Sequence, residues 1–524
     1  MSEILNLSMT RRKFLGFSAA GASVFLLGLT LPSCRSASEK SDEAVINAFI
    51  GIDENGLVIF QNPFIEMGQG TYTSIPAIVA EELDIDMSML SVVQAPPGPD
   101  YRIMFNNTKR FTGGSLSVRS SYMTMRKAGA TARAMLITAA ADQWGVKASE
   151  CSTEPGVVLH TASGKKMSYG QLAPIAAKLK PPVDVPLKDS ASFNLIGKPV
   201  KRTDSLAKAN GTAEFGMDVK VDGLLHAAVK QSPVFGGSIK SFDKTAVLKM
   251  PGVVAVEEIP NGVAVIADHY WHAKTALEHL PVTFDDGANA GFSSKAYLEK
   301  LKSVLNEPGV TAENVGDAVK VLLTAAKKIE AEYHAPFLAH QTMEPMNCTA
   351  LVTSDHCKVL APNQGADFVA DTAAKITGLK LEDIEVITPF LGGGFGRRFI
   401  MDYVAQAVTL AKKHPGKPIK VIWTREEDTQ HDHYRPMTAA KYRAGFDTKA
   451  NPIALHITTA GEDPMGRLNP AFLKNPDIDE SIFEGGPHQP YAIPNKRADV
   501  VNISVKPVPI GYWRSVGNSQ NCFF

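Results

Sequence analysis

The pattern of apolar and polar positions divides the chain into three patterned stretches separated by polar or proline-rich joins. In the first, residues 57–60 (Leu-Val-Ile-Phe) have the composition of a strand, and residues 75–83 repeat apolar positions at helical spacing. Residues 118–144 predict a long amphipathic helix whose small-residue face (Ala128, Ala132, Met135, Ala139) points to close packing. The Lys180-Pro181-Pro182 segment through Pro186 reads as a linker. Short valine-containing strands at 224–229, 253–257 and 263–267, with a helix at 270–279, form a small α+β module. Residues 287–320 look like a second connection. From Ala331 onward strands and helices alternate again, with helices at 366–377 and 402–413 and strands at 384–387 and 419–423. The fold class expected is α+β (mixed α/β).

Length changes this picture little: 524 residues, at roughly 150 per domain, suggest about three or four domains. The formal net charge is zero, which gives no support to a nucleic-acid partner. The N-terminus is the compositional anomaly. Thr10-Arg11-Arg12-Lys13-Phe14-Leu15 opens an uncharged stretch rich in Ala, Gly and Leu that runs to Leu31, followed by Pro32-Ser33-Cys34 and a polar segment. That order is basic, apolar, then small residues, as in an export signal over residues 1–34. The paired arginines select the twin-arginine route, with a periplasmic or membrane-associated destination. A membrane anchor is the alternative, though Gly16, Gly21 and Gly28 weaken it. Leu31-Pro32-Ser33-Cys34 also loosely resembles a lipoprotein cleavage box with Cys34 as the lipidated residue.

The five cysteines, Cys34, Cys151, Cys348, Cys357 and Cys522, show no C-x-x-C spacing. They make no case for an iron–sulfur cluster or zinc site on this chain. His431-Asp432-His433 invites a metal reading, since histidines at i and i+2 of a strand share a face, but no third clustered ligand follows beyond Asp428. No G-x-S-x-G elbow is present, against a serine hydrolase.

Three glycine turns carry the candidate chemistry: Met67-Gly68-Gln69-Gly70, Gly113-Gly114-Ser115 and Gly392-Gly393-Gly394-Phe395-Gly396-Arg397-Arg398. Each is expected between a strand and a helix, where backbone N–H groups near a helix N-terminus bind anions. The third fits neither the G-x-G-x-x-G dinucleotide pattern nor a P-loop. One such turn alone is most simply a turn; three, one flanked by two arginines, suggest a cradle for a large anionic cofactor.

With Met343-Glu344-Pro345, Trp423-Thr424-Arg425-Glu426-Glu427-Asp428, Tyr434-Arg435-Pro436 and Trp513-Arg514-Ser515-Val516-Gly517-Asn518, these turns resemble the molybdenum hydroxylases of the xanthine dehydrogenase–aldehyde oxidase superfamily. The block order is similar to that of the large subunits of isoquinoline 1-oxidoreductase and its aldehyde dehydrogenase relatives, and the resemblance covers nearly all of residues 44–524. It implies cofactor-binding lobes at 44–180 and 320–524 and an α/β hammerhead domain at 195–290. It implies molybdenum held by a pterin dithiolene, as molybdopterin cytosine dinucleotide, with the protein supplying hydrogen bonds and dipoles. By motif, Gly68, Gln69, Gly70, Gly113, Gly114 and Ser115 would contact the pterin or its phosphates. Gly393, Gly394, Phe395, Gly396 and Arg397 would lie toward the metal. Arg514 would stand beside it and stabilise developing charge. The implied chemistry is hydroxylation of an N-heterocycle, or oxidation of an aldehyde, using water. A small iron–sulfur (2Fe–2S) subunit takes the electrons on toward a cytochrome c or quinone. The family's general-base glutamate sits in a Gly-Glu-Pro block that this sequence does not contain, and Glu344 is the best acidic candidate left. A truncated, catalytically inactive remnant that only binds a partner is the alternative expectation.

Overall fold

The structure is a computed structural model that describes residues 49–104, 109–470, 473 and 479–524, with the backbone of 24–26. The twin-arginine segment and Cys34 lie outside the described residues. Among the described residues no helix is long and apolar enough to cross a membrane, and the four described cysteines are free thiols. Helices and sheets are mixed throughout, so the fold class is α+β. The chain forms two compact units, one of residues 1–224, 347–393 and 401–421, the other of residues 225–346, 394–400 and 422–524.

In the first unit a four-stranded sheet runs in the order Val24–Leu26, Ile50–Asp53, Val58–Asn62, Leu90–Gln94. The last pair is parallel, so the chain must cross over between them. The crossover is the helix Thr71–Leu83, almost wholly buried, which packs on the long helix Leu116–Trp144. Close contact requires Gly129 there, since a Cβ would stand 2.5 Å from the Val79 carbonyl oxygen. Phe49, Ile52, Val58, Phe60, Ile75, Leu83, Met125 and Leu136 form the shared core. The later segment of this unit has strands in the order Ile419–Ile422, Asn347–Val352, Cys357–Leu360, Ile384–Ile387, with helices Ala366–Thr377 and Asp402–Lys413.

In the second unit, Leu225–Gln231, Gly262–Ala267 and Val253–Ile259 form an antiparallel set. They share a core with the helix Tyr270–Glu278 through Val263, Val265, Ala273 and Leu277. A five-stranded sheet follows the order Val310–Val315, Asn495–Asn502, Pro452–Gly461, Thr438–Phe446, Lys327–Ala335.

Two sequence expectations need correction here. Residues 287–320 are not merely a connection: they hold the helix Ser294–Ser303 and the strand Val310–Val315. Only Tyr297 and Leu301 of that helix are buried, so its apolar stripe is two residues wide. Nor is His431-Asp432-His433 a strand. His431 ends the helix Arg425–Gln430 and the next two residues are irregular, so the two histidines do not share a sheet face.

Candidate cofactor-binding residues

In the first unit the chain leaves the strand Val58–Asn62 and reaches the turn through the buried residues Phe64, Ile65 and Glu66. Gly68 and Gly70 take φ of 108° and 97°, a region costly for L side chains. Gly70 is the N-cap of the helix Thr71–Leu83 and offers no capping side chain. The free N–H groups of that helix end need an acceptor, and Glu66 supplies it. One carboxylate oxygen accepts from Gly68 N at 2.6 Å and Gly70 N at 3.1 Å; the other accepts from Tyr72 N at 3.0 Å. The chain thus places its own anion in the nest of backbone donors.

Glu66 is one end of a charge relay. Arg202 Nη2 lies 3.1 Å from Glu66, and Arg202 also donates to the Gly68 carbonyl at 2.8 Å. Its Nε and Nη2 meet Asp204 at 2.8 and 2.7 Å, and Lys208 Nζ meets Asp204 at 2.5 Å. Bonding from Arg202 pulls the Asp204 carboxyl down to about 2, against burial that opposes it and with Lys208 assisting. Gln69 also serves the loop: its side-chain oxygen accepts from Met67 N at 2.7 Å and its amide donates to the Ile65 carbonyl at 2.8 Å. What this turn leaves open is the outer face of Gly68, where a Cβ would meet nothing within 4 Å.

The second turn differs. Gly114 and Ser115 have φ of 59° and 54° and are exposed, immediately before the helix Leu116–Trp144. Ser115 makes no capping hydrogen bond and the first helical turn contains no acidic residue. The first turn itself brings no carboxylate to this helix end, which suits an anionic group. Thr112 joins the two turns: its hydroxyl accepts from Ile65 N at 2.8 Å, and its backbone pairs with Gln364. The open outer face of Gly68 and the uncapped start of the helix Leu116–Trp144 therefore fit a phosphate-bearing pterin.

The third turn begins at Gly392 and Gly393, the latter at φ 98°, and its remainder belongs to the second unit. Gly394 accepts from Arg397 N at 2.9 Å. Phe395 has φ 55° and Gly396 φ 112°. Arg397 and Arg398 are buried, and each faces a carboxylate. Arg397 Nε is 3.1 Å from Asp432 and its guanidinium lies over Trp423; Arg398 is 3.0 Å from Glu344. Glu344 is irregular in backbone rather than strand-like, and its carboxylate is committed to this ion pair. It braces the segment through Arg398.

Backbone strain gathers in this part of the second unit. Gln341, Phe395, Arg514 and Val516 are non-glycine residues at φ 46°, 55°, 41° and 52°. For a β-branched residue such as Val516 this is a true outlier. Strained residues persist where surrounding structure over-determines them, and they cluster at functional sites. Here the bracing is visible: Arg514 N donates to the Phe395 carbonyl at 2.5 Å and the Arg514 guanidinium covers the Phe395 ring at 5.4 Å. Gly396 packs against Tyr512 so closely that a Cβ would lie 1.5 Å from its carbonyl oxygen. Arg514 is exposed and Phe395 is 37% exposed, so a cation on an aromatic face is presented outward.

Asp432, one of the three residues of the suspected metal triplet, is instead an acceptor hub. It receives the backbone N–H of His340, the His340 ring at 3.0 Å, His433 N at 2.7 Å and Arg397. Burial alone would raise its pKa, but the His340 and Arg397 contacts hold it below the usual carboxylate value. His431 turns the other way, to the Ser232 carbonyl at 2.9 Å and Glu427 at 3.0 Å. Sequence reasoning missed Glu66, Arg202, Asp204, His340 and Tyr512. Of these, only Glu66 carried a local signal, a carboxylate just ahead of a glycine turn and a helix start.

Comparison with known proteins gives the family. Two models, each described as a molybdopterin cofactor-binding domain, match residues 18–227 and 303–524. The isoquinoline 1-oxidoreductase subunit beta of Brevundimonas diminuta is 28% identical over 522 residues, taking in 90% of this chain and 66% of that one. A membrane-bound aldehyde dehydrogenase (pyrroloquinoline-quinone) of Gluconacetobacter polyoxogenes is 28% identical over 512 residues, covering 93% and 64%. The aldehyde oxidoreductase molybdenum-binding subunit of Escherichia coli K12 is 26% identical over 302 residues, covering 52% and 41%. The chain thus spans slightly under two thirds of the length of the first two relatives. With both molybdopterin models matched and the motif turns in place, the chain belongs to the xanthine dehydrogenase–aldehyde oxidase superfamily of molybdopterin cofactor-binding proteins.

Proposed function

We propose that this chain is the cofactor-binding large subunit of an exported molybdenum hydroxylase. The observation that carries the reading is the strained, braced set of Phe395, Gly396, Arg514 and Val516 in a chain matched by two molybdopterin models. The bound group, as molybdopterin cytosine dinucleotide, supplies two-electron redox chemistry that inserts a water-derived oxygen into an N-heterocycle or an aldehyde. The chain supplies the rest. The uncapped helix end at Gly113, Gly114 and Ser115 would bind phosphate, and the open face of Gly68, in a loop held by Gln69 and closed at Gly70, would admit the pterin at short range. Gly393, Gly394, Phe395, Gly396 and Arg397 would lie toward the metal. Arg514, an exposed cation braced on the Phe395 ring, would face developing negative charge and stabilise it. A small 2Fe–2S subunit would take the electrons on toward a cytochrome c or quinone.

Engagement of Glu344 by Arg398 favours a second reading, a chain that loads cofactor without turnover. Purified with its iron–sulfur partner and given an artificial acceptor, the chain is expected to oxidise an aldehyde or hydroxylate a bicyclic N-heterocycle. Cofactor present with no turnover of either class would select the second reading. Release of cytidine monophosphate on acid hydrolysis is expected from the dinucleotide form. Export rests on Arg11-Arg12; substituting both by Lys is expected to leave the protein in the cytoplasm, and unchanged export would contradict it.

A further inference from the structure

His340 lies outside every motif above, yet it joins two of them. Its side chain is 1% exposed. Nδ1 lies 3.0 and 3.1 Å from the two oxygens of Asp432, and Nε2 lies 2.8 Å from the Tyr512 carbonyl. A carboxylate and a carbonyl only accept. With one hydrogen on the ring, one nitrogen lone pair would point at an acceptor lone pair at hydrogen-bond distance. Moving that hydrogen to Asp432 is opposed by its other donors, His340 N, His433 N and Arg397. Both ring nitrogens therefore carry hydrogens.

The charged groups around the ring come from each neighbouring segment. Asp432 touches the ring itself, and the charges beyond it are paired: Arg397 with Asp432, Arg425 with Asp428 and Arg398 with Glu344. Three arginines face three carboxylates, so the imidazolium charge is the excess. The clamp acts two residues from Arg514. The Tyr512 carbonyl that His340 holds is the one Gly396 packs against, and the next contact along is Arg514 N with the Phe395 carbonyl.

We propose that His340, as a doubly protonated imidazolium bridging Asp432 and the Tyr512 carbonyl, is the positioning residue that fixes Arg514 against the Phe395–Gly396 turn. The functional meaning rests on the assignment of Arg514 to the cofactor; the clamp itself is a property of the chain.

The test is ring-nitrogen NMR of the chain labelled at histidine, with His340 assigned by its loss in His340→Gln, together with backbone hydrogen exchange. At about pH 7.5, where a free imidazole is mostly neutral, both ring nitrogens of His340 are expected to show attached protons. In His340→Gln the Arg514 amide is expected to exchange at least about tenfold faster, the effect of losing a charge-assisted bond, while amides of the strand Gly262–Ala267 keep their rates. A singly protonated ring, or unchanged Arg514 exchange, overturns the proposal. If His340→Gln does not fold, Asp432→Asn serves. Loss of the second ring proton and faster Arg514 exchange support the clamp, and persistence of both wild-type values overturns it. Neither reading needs cofactor, so molybdenum content of the same samples reports separately on the cofactor assignment.

Discussion

The turns at Gly68-Gln69-Gly70 and Gly394-Phe395-Gly396 look alike in sequence and are built on opposite plans. The first is self-satisfied. Glu66 accepts three backbone N–H groups, Gln69 folds back on its own loop, and a Cβ on Gly68 would meet open space. The second is over-determined. Its backbone is strained at Phe395, its arginines are buried on carboxylates, and Gly396 has no room for a single extra carbon. In the first, glycine keeps a surface open. In the second, glycine allows two backbone segments to touch.

The sharpest way to break that contrast is Gly396→Ala. The clash with Tyr512 adds to the cost of a side chain at φ 112°, so a loss of at least about 3 kcal/mol is expected in chemical denaturation. A near-neutral effect would show that the two segments are not locked. Glu66→Gln comes next. It removes the charge at the helix end and deprives Arg202 of a partner, at about 2–3 kcal/mol. The lower end is expected because the Arg202 side chain is 36% exposed and water can rehydrate it.

Asp204 gives a pH signature to the same relay. Its pKa in the folded chain, about 2, lies below the ordinary 3.8, so the ionised form stabilises the fold. That contribution is complete above the unfolded value and is lost as pH falls through the folded one. Stability is therefore expected to drop by about 2 kcal/mol between roughly pH 4 and pH 2. Asp204→Asn should flatten that part of the curve, and an unchanged slope would remove the relay from the account. The smallest effect is expected for Gly68→Ala, about 1 kcal/mol from backbone strain alone. A loss as large as that of Gly396→Ala would erase the distinction between the turns.

Local pattern explains what the sequence disclosed. The helices Ala366–Thr377 and Asp402–Lys413 fall on the expected residues because each has a broad apolar face, Val369, Ala370 and Ala373 in one and Val404, Ala407, Val408 and Ala411 in the other. The helix Ser294–Ser303 was hidden because two buried residues make no stripe, although Ser293 caps it through Ala296 N. The glycine turns were legible because φ above zero restricts residue type. The residues that hold them were not. His340 is 92 positions from Asp432 and 172 from Tyr512, and no spacing rule reaches that far. Asp432 drew attention for its flanking histidines, but only the fold shows that it answers to His340 and Arg397.

The measurement closest to the central claim is the molybdenum and pterin content of the folded chain, purified from a host that makes the cofactor. The account predicts about one molybdenum and one pterin per chain, the stoichiometry of a single prosthetic group held by one protein. A folded, monodisperse chain that carries neither metal nor pterin under those conditions would contradict it.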